Sequence, residues 1–337
     1  MDVAAAIARA VSRADLTADE MAGVMGTIMD GASTPAQIGA LLVALRMKGE
    51  TVSEVVGAAR AMRARATRLS VPAGVLVDTC GTGGDGRGTI NISTIAALVV
   101  AAAGVTVAKH GNRAQSSRSG SADVLEALGM NVDAPVEVVE RCLRDLGIGF
   151  LFAPAFHGAT RHAAAPRKEI AVRTLFNLLG PLTNPAGARH QLIGVYAEDR
   201  LELLAQALGQ LGSEHALVVH GAGGLDEFAP DGPTEVAELR SGEVKRYLLS
   251  PRDFQLEPED AAGLAGGDAH ENAVAVRAIL SGTRRGAGRS SVLMSAAGAL
   301  YAAGKTGLRD GVQLAAQLVD DGSVTRLLDR LIEATNS

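Results

Sequence analysis

The spacing of hydrophobic positions along the chain changes once, near residue 70. Before that point apolar residues recur every three or four positions, as on one face of an α-helix. Three boxes mark helix starts: Thr17 with Glu20, Thr34 with Gln37 and Thr51 with Glu54. In each, the threonine hydroxyl caps a helical N–H and the third residue on reaches back to the cap, which satisfies donors the helix leaves free. Pro35 sits at a first helical position, and Gly49 falls where a C-terminal cap belongs. Residues 1–70 are therefore expected to be all helical. Apolar faces such as Ile38, Leu41, Leu42 and Leu45 exceed what four short helices bury alone, which predicts contact with a second copy of the chain.

From Pro72 short apolar runs alternate with helical stretches, the pattern of a mainly parallel sheet covered on both faces. Strands are expected at 75–77, 105–108, 149–152, 191–196 and 216–220. Residues 234–240 and 243–249 flank Ser241-Gly242 and predict a hairpin at the sheet edge. Helices are expected near 270–281, 290–303, 308–320 and 323–334, and the segment 167–185 reads as helical again, ending at Gly180-Pro181. The fold class is α/β: a small all-helical N-terminal domain and a large α/β domain with a mainly parallel central sheet.

Composition narrows the function. The 337 residues are 47% hydrophobic and 20% charged, as in soluble globular proteins, and long enough for two domains. A net charge of −5 and 3% aromatic residues argue against a nucleic-acid surface. The N-terminus lacks the basic and long apolar regions of a signal peptide. The longest apolar run, 95–108, is 14 residues and too short to span a bilayer. Two cysteines 62 positions apart give neither a disulfide framework nor a metal spacing, so the cytoplasm is the expected compartment.

The chemistry concentrates between Asp78 and Ser121. The strand at 75–77 feeds a loop with glycines at 81, 83, 84, 86 and 88, and Asn91, Ser93 and Thr94 then open a helix. Glycines let backbone N–H groups converge on an anion, and a helix N-terminus adds further donors and partial positive charge. Lys109 and Arg113 add full charges at the end of the next strand. Together these predict a site for a polyphosphate or sugar phosphate. GTGGDG at 81–86 also fits a dinucleotide fingerprint, but the helix begins about seven residues late and the next strand ends in Lys109 rather than an acid. Asp226-Glu227 follow a strand and the glycines 221, 223 and 224, on a loop at a strand's carboxyl end. Carboxylates there suit Mg²⁺, which takes oxygen ligands together with substrate phosphates.

GTGGDG, TINIST and KHGNRAQSSRSGSADVLEALG resemble the signature of the anthranilate phosphoribosyltransferase family. HGATRHAAAPRKE (157–169), RTLFNLLGPLTNP (173–185), GLDE (224–227) and ENA (271–273) continue it in the family's order. The resemblance implies transfer of a 5-phosphoribosyl group from phosphoribosyl diphosphate to anthranilate in tryptophan biosynthesis. It implies that 1–70, joined by 167–185, form one domain, and 71–166 with 186–337 the other, with both substrates in the crevice between them. A homodimer through the helical domain is expected. Nucleoside phosphorylases acting on pyrimidine nucleosides share the fold, and a non-catalytic nucleic-acid-binding relative is the other alternative.

By the same resemblance, phosphoribosyl diphosphate contacts Gly81, Gly84, Asp85, Thr89, Asn91, Ile92, Ser93, Thr94, Lys109, His110, Gly111, Asn112, Arg113, Ala114, Gln115, Ser116, Ser117 and Ser121. Gly81, Asn112 and Arg167 border anthranilate, the guanidinium of Arg167 gripping its carboxylate. Ser93, Asp226 and Glu227 hold magnesium, two ions per site with one brought on the diphosphate. Ser93 is also a good N-cap residue. No residue is assigned as an acid or base: catalysis is electrostatic, with Lys109 foremost. Departures from the family's pattern are Gly158 after His157, Ala165-Pro166 before Arg167, Arg118 for a usual lysine and Ser295 for a usual asparagine. His157 and His162 are five apart, which does not suit a helical zinc pair. Cys80 reads as a packed thiol. Gly304-Lys305-Thr306 imitates the end of a phosphate-binding loop, but its matching glycine, Gly298, comes one residue too early.

Overall fold

The structure is a computed structural model that describes residues 1–114 and 118–337. Four helices open the chain: α1 (Val3–Val11), α2 (Ala18–Met29), α3 (Pro35–Lys48) and α4 (Val52–Arg65). The three expected capping boxes are all formed, and Pro35 is the first residue of α3. Gly49 ends α3 at a φ of 93°, a conformation only glycine adopts freely. Ile38, Leu41, Leu42 and Leu45 are at most 1% exposed. The chain covers these four residues itself, through α1 and through a later helix, so they are not the surplus apolar surface that the sequence suggests.

The rest of the chain contributes β1 (Leu76–Asp78), α5 (Ile92–Ala102), β2 (Thr106–Gly111), α6 (Ser121–Ala127), α7 (Val136–Leu146), β3 (Ile148–Phe152) and α8 (Ala153–Phe156). Next come α9 (Arg161–Ile170), α10 (Phe176–Leu179), β4 (His190–Gly194), α11 (Leu201–Gln210), β5 (His215–Gly221), β6 (Thr234–Arg240) and β7 (Glu243–Leu249). The chain closes with α12 (Ala269–Leu280), α13 (Ala287–Ala302), α14 (Leu308–Asp320) and α15 (Ser323–Thr335). The segment 167–185 is not one helix. It breaks where Ala171 takes a φ of 50°, runs irregularly to Thr174 and resumes as α10 and a short 3₁₀ turn, Gly180–Leu182.

The strands form one seven-stranded sheet in the order β3-β2-β1-β4-β5-β6-β7. The first five are parallel to their neighbours, and β6 and β7 add an antiparallel edge. The β6–β7 turn places Ser241 and Gly242 at φ 52° and 85°, the doubly positive geometry of a tight hairpin. Side chains alternate across the sheet, as a pleated strand requires. Leu192, Leu217 and Val219 face α5 and α13, whereas Ile193, Ala216 and Val218 join the core built with the N-terminal helices and α11. Helix α11 thereby covers one face of the sheet, with the helical bundle packed on it through α4, and α5 and α13 cover the other. No helix among the described residues is long and apolar enough to cross a membrane.

Candidate active site

β1 lies between β2 and β4, so the connections that follow it leave in opposite directions. A crevice opens at the carboxyl ends of strands at such a switch point. The turn after β5 brings Asp226 and Glu227 into it. Glycine is required beneath them: a Cβ on Gly194 would lie 1.5 Å from the Asp226 carbonyl oxygen, and one on Gly221 2.4 Å from that of Glu227. The two Glu227 oxygens accept from the Ser93 N–H at 3.0 Å and the Ser295 hydroxyl at 3.1 Å. Ser93 belongs to the first turn of α5, where the helix dipole favours an anion. Burial raises Glu227 to about 7. Asp226 is also pushed well up, by burial and then by the charges of Asp85 and Glu227. Among the described residues neither acid has an ion-pair partner.

Lys109 and Arg173 bring positive charge to the loop after β1, and Arg167 lies apart on α9. Lys109 is buried in β2 and donates to the Thr79 carbonyl at 3.2 Å. Arg167, on α9, lies 4.7 Å over the Phe176 ring and pairs with no carboxylate among the described residues. Arg173, in the irregular stretch before α10, stacks 4.0 Å from the centre of Tyr196 and donates to the Gly84 carbonyl. Among the described residues no salt bridge joins Asp226 or Glu227 to a cation, although the charge of Lys109 is near enough to offset part of the rise at Glu227.

Two histidines lie beside them. His110 Nδ1 meets the Gly180 carbonyl at 3.0 Å, and a carbonyl can only accept, so the ring proton sits on Nδ1. Its Nε2 is a bare, buried lone pair with no partner among the described residues. Burial, and then the neighbouring His157, lower His110 to about 3, so the ring is neutral at ordinary pH. The His157 ring is 5.2 Å away, and its Nε2 is likewise buried and unpaired. His162 takes no part; its ring packs beside Gly31. Beneath these groups Asp78 accepts from the His110 N–H at 3.1 Å and the Asn184 amide at 2.8 Å, and that amide also donates to the Ala108 carbonyl at 2.8 Å. Burial raises Asp78 to about 6 and the nearby Cys80 thiol to about 12, which leaves the thiol protonated and no nucleophile.

Residues 4–66 match the helical bundle domain of a glycosyl transferase family, and residues 73–325 match that family's a/b domain. Anthranilate phosphoribosyltransferase from Anaeromyxobacter dehalogenans strain 2CP-C is 58% identical over 313 residues, 93% of this chain and 92% of that protein. The chain belongs to the anthranilate phosphoribosyltransferase family. The crystal structure of the family's Thermus thermophilus member superposes with a TM-score of 0.93 at 45% identity, over 98% of this chain and 99% of that one. The Saccharomyces cerevisiae member, solved with PRPP and Mg, gives 0.90 at 28% identity, over 99% and 98%.

The positions implied by the family resemblance gather at this crevice in three groups. Gly81, Gly84, Asp85 and Thr89 lie on the loop after β1, and Ile92, Ser93 and Thr94 form the first turn of α5 behind Asn91. Lys109, His110 and Gly111 end β2, with Asn112, Arg113, Ala114 and Ser121 beyond them; Gln115, Ser116 and Ser117 lie outside the described residues. Lys109 and His110 are strand residues rather than the start of a loop, because β2 continues to pair with β3 there, opposite Phe150 and Leu151.

Four expectations need correction or refinement. Asn91, not Ser93, occupies the N-cap of α5, and its side chain makes no capping bond. The amides of that first turn already have partners: Ile92 donates to the Ile90 carbonyl, Ser93 to Glu227 and Thr94 to the Asn91 carbonyl. The charge of Arg113 is taken up by Glu126 at 2.7 Å and Asp123 at 3.2 Å. Gly158 and Pro166 leave the local path intact, since Pro166 is accommodated inside α9 and His157 stays buried.

Sequence reasoning gave no role to Arg173, Tyr196, Asp78 or Asn184. The one signal available for Asp78 and Asn184 was a polar residue within or beside an apolar run. Asn272 was quoted only as part of a motif; it donates to Asn91 at 2.9 Å and so fixes the start of α5.

Gly194→Ala provides a direct test of the close fit under the acidic turn. The added methyl displaces the Asp226 backbone, and displacements of about 1 Å cost on the order of 100-fold in rate. The expected outcome is at least that loss in kcat/KM with an unchanged circular dichroism spectrum; wild-type kinetics contradict it.

Proposed function

We propose that this crevice transfers the 5-phosphoribosyl group of phosphoribosyl diphosphate to the amine of anthranilate, giving N-(5-phosphoribosyl)anthranilate and diphosphate in L-tryptophan biosynthesis. The observation that carries the reading is the pair of crowded, half-buried acids without a salt bridge among the described residues, suited to a cation, together with basic residues suited to a diphosphate and a carboxylate. Membership of the family, and the PRPP and Mg complex of the yeast member, support it.

Asp226, Glu227 and the Ser93 hydroxyl are the residues to hold Mg²⁺. Their fit rests on two crowded carboxyls whose affinity for protons is raised and which form no salt bridge among the described residues. Hard oxygen donors of this kind suit Mg²⁺. In our reading one ion is held here and a second arrives on the diphosphate, and bound magnesium supplies neutralisation of the charge that develops on the leaving group. Lys109 adds a fixed positive charge on the leaving-group side, and the glycine loop from Gly81 to Thr89 adds backbone donors. Gly111, Asn112, Ala114 and Ser121 line the far side of the phosphoribosyl diphosphate.

Arg167 presents a guanidinium fork, held flat by Phe176, to the anthranilate carboxylate. Gly81 and Asn112 border the ring. The anthranilate amine is already neutral near pH 7 and needs no strong base. Holding both substrates in one crevice supplies the entropic part of the acceleration.

The same reading divides the chain into a helical domain, 1–70 with 167–185, and an α/β domain, 71–166 with 186–337, working in the cytoplasm as a homodimer. Val11 on α1 and Met47 on α3, 69% and 74% exposed on adjacent helices, support a subunit contact there. Sedimentation at micromolar concentration is expected to give a dimer, and a pure monomer contradicts that contact.

Anthranilate fluorescence follows the reaction itself. Consumption is expected to require both phosphoribosyl diphosphate and Mg²⁺, and turnover without either rejects the proposal. Arg167→Ala is expected to raise the anthranilate KM by about 10- to 100-fold, the scale of a lost charged hydrogen bond, with the phosphoribosyl diphosphate KM little changed. Unchanged anthranilate kinetics would sink the assignment of Arg167.

A further inference from the structure

Helix α13 crosses behind the acidic turn and is buried over nearly all its length. Ser291, Ser295 and Gly298 follow one another at helical spacing and so share one face. Each meets the turn. The Ser295 hydroxyl donates to Glu227 Oε2 at 3.1 Å, and the Ser291 hydroxyl to the Phe228 carbonyl at 3.4 Å. The Phe228 ring fills the space above Gly298, where a Cβ would come within 2.8 Å of it. One helix face therefore holds the side chain of Glu227 and both the backbone and the ring of the residue after it.

Ser295 is fully buried and has no contact with the open crevice. Its hydroxyl supplies one of the two hydrogen bonds on the Glu227 carboxylate; the Ser93 N–H supplies the other. With one donor on each oxygen, the carboxylate plane is fixed, and each oxygen keeps a further lone pair for a cation. A carboxylate left free to rotate would have to be ordered when the ion binds, at a cost in side-chain entropy.

We propose that Ser295 is a positioning residue for magnesium: it sets the orientation of the Glu227 carboxylate from behind without touching substrate or ion. The inference rests on the magnesium reading given above. It also gives position 295 a physical task, that of a compact hydrogen-bond donor directed at Glu227.

The test measures ion binding directly. Water-proton relaxation with Mn²⁺ and phosphoribosyl diphosphate separates protein-bound from free Mn²⁺, and anthranilate turnover is measured on the same samples. Loss of a hydrogen-bond partner behind a metal ligand typically weakens metal binding by about 10- to 100-fold. Ser295→Ala is expected to weaken Mn²⁺ binding by about 10-fold, within that range, with the anthranilate KM unchanged. Ser295→Cys, close in volume but a poor donor, is expected to do the same, and Ser295→Asn, which keeps a donor, to stay within about threefold of wild type. Wild-type Mn²⁺ affinity in the Ala and Cys variants overturns the proposal. So does equal weakening in all three, which would mark packing rather than hydrogen bonding as the cause. Wild-type protein that turns over anthranilate yet binds no Mn²⁺ overturns the magnesium reading, and this inference with it.

Discussion

Two carboxyl groups, Asp226 and Glu227, are held in the turn after β5 with no salt-bridge partner among the described residues and only the charge of nearby Lys109 to offset Glu227. Placing acids together in partial burial is costly, and both answer with a raised affinity for protons. The surrounding structure enforces the arrangement. Gly194 and Gly221 admit the turn, the first turn of α5 caps Glu227, and α13 fixes it from behind. Lys109 and Arg173 lie against the loop after β1. The crevice is polarised before any substrate arrives, and such preorganised charge is what stabilises a departing diphosphate without rearrangement in the transition state.

That polarisation needs strand ends from distant parts of the chain at fixed spacing. Asp78 provides much of it. Its carboxylate joins β1 to the His110 N–H of β2 and to Asn184, whose amide also binds the Ala108 carbonyl. The segment carrying Asn184 is the one that bears Arg173 and Phe176, so one buried polar cluster ties the sheet to the wall that presents Arg167. Fully satisfied networks of this kind rigidify a core, whereas a missing member leaves a buried charge unpaired. Arg63 reinforces the join from α4 by donating to the Leu182 and Leu211 carbonyls at 2.7 and 3.0 Å.

Much of this was legible in the sequence wherever the determinants are local. The capping boxes at Thr17, Thr34 and Thr51, the Ser241-Gly242 hairpin and the glycine loop each state their geometry within a few residues. The strands were placed to within a few positions, but β2 extends to Gly111 through Lys109 and His110, whose partners at 78–79 and 180 no local pattern reveals. The break at Ala171 was hidden for the same reason, in a segment whose composition is helical. The α3 face carrying Ile38 and Leu42 was read as surplus because its cover comes from α9, more than a hundred residues on. Ser295 had no role until the fold set it behind Glu227. Arg113 was read as a free cation, and its partners Asp123 and Glu126 lie just downstream, on α6.

Calorimetric titration of phosphoribosyl diphosphate at neutral pH, with and without Mg²⁺, tests the central claim most directly. If the acids of the turn act through a bridging ion, binding is tight with Mg²⁺ and weak without it, because Asp226 and Glu227 then face the diphosphate bare. Equal affinity in the two titrations would contradict the account, since the unpaired acids would then have no part in holding the substrate.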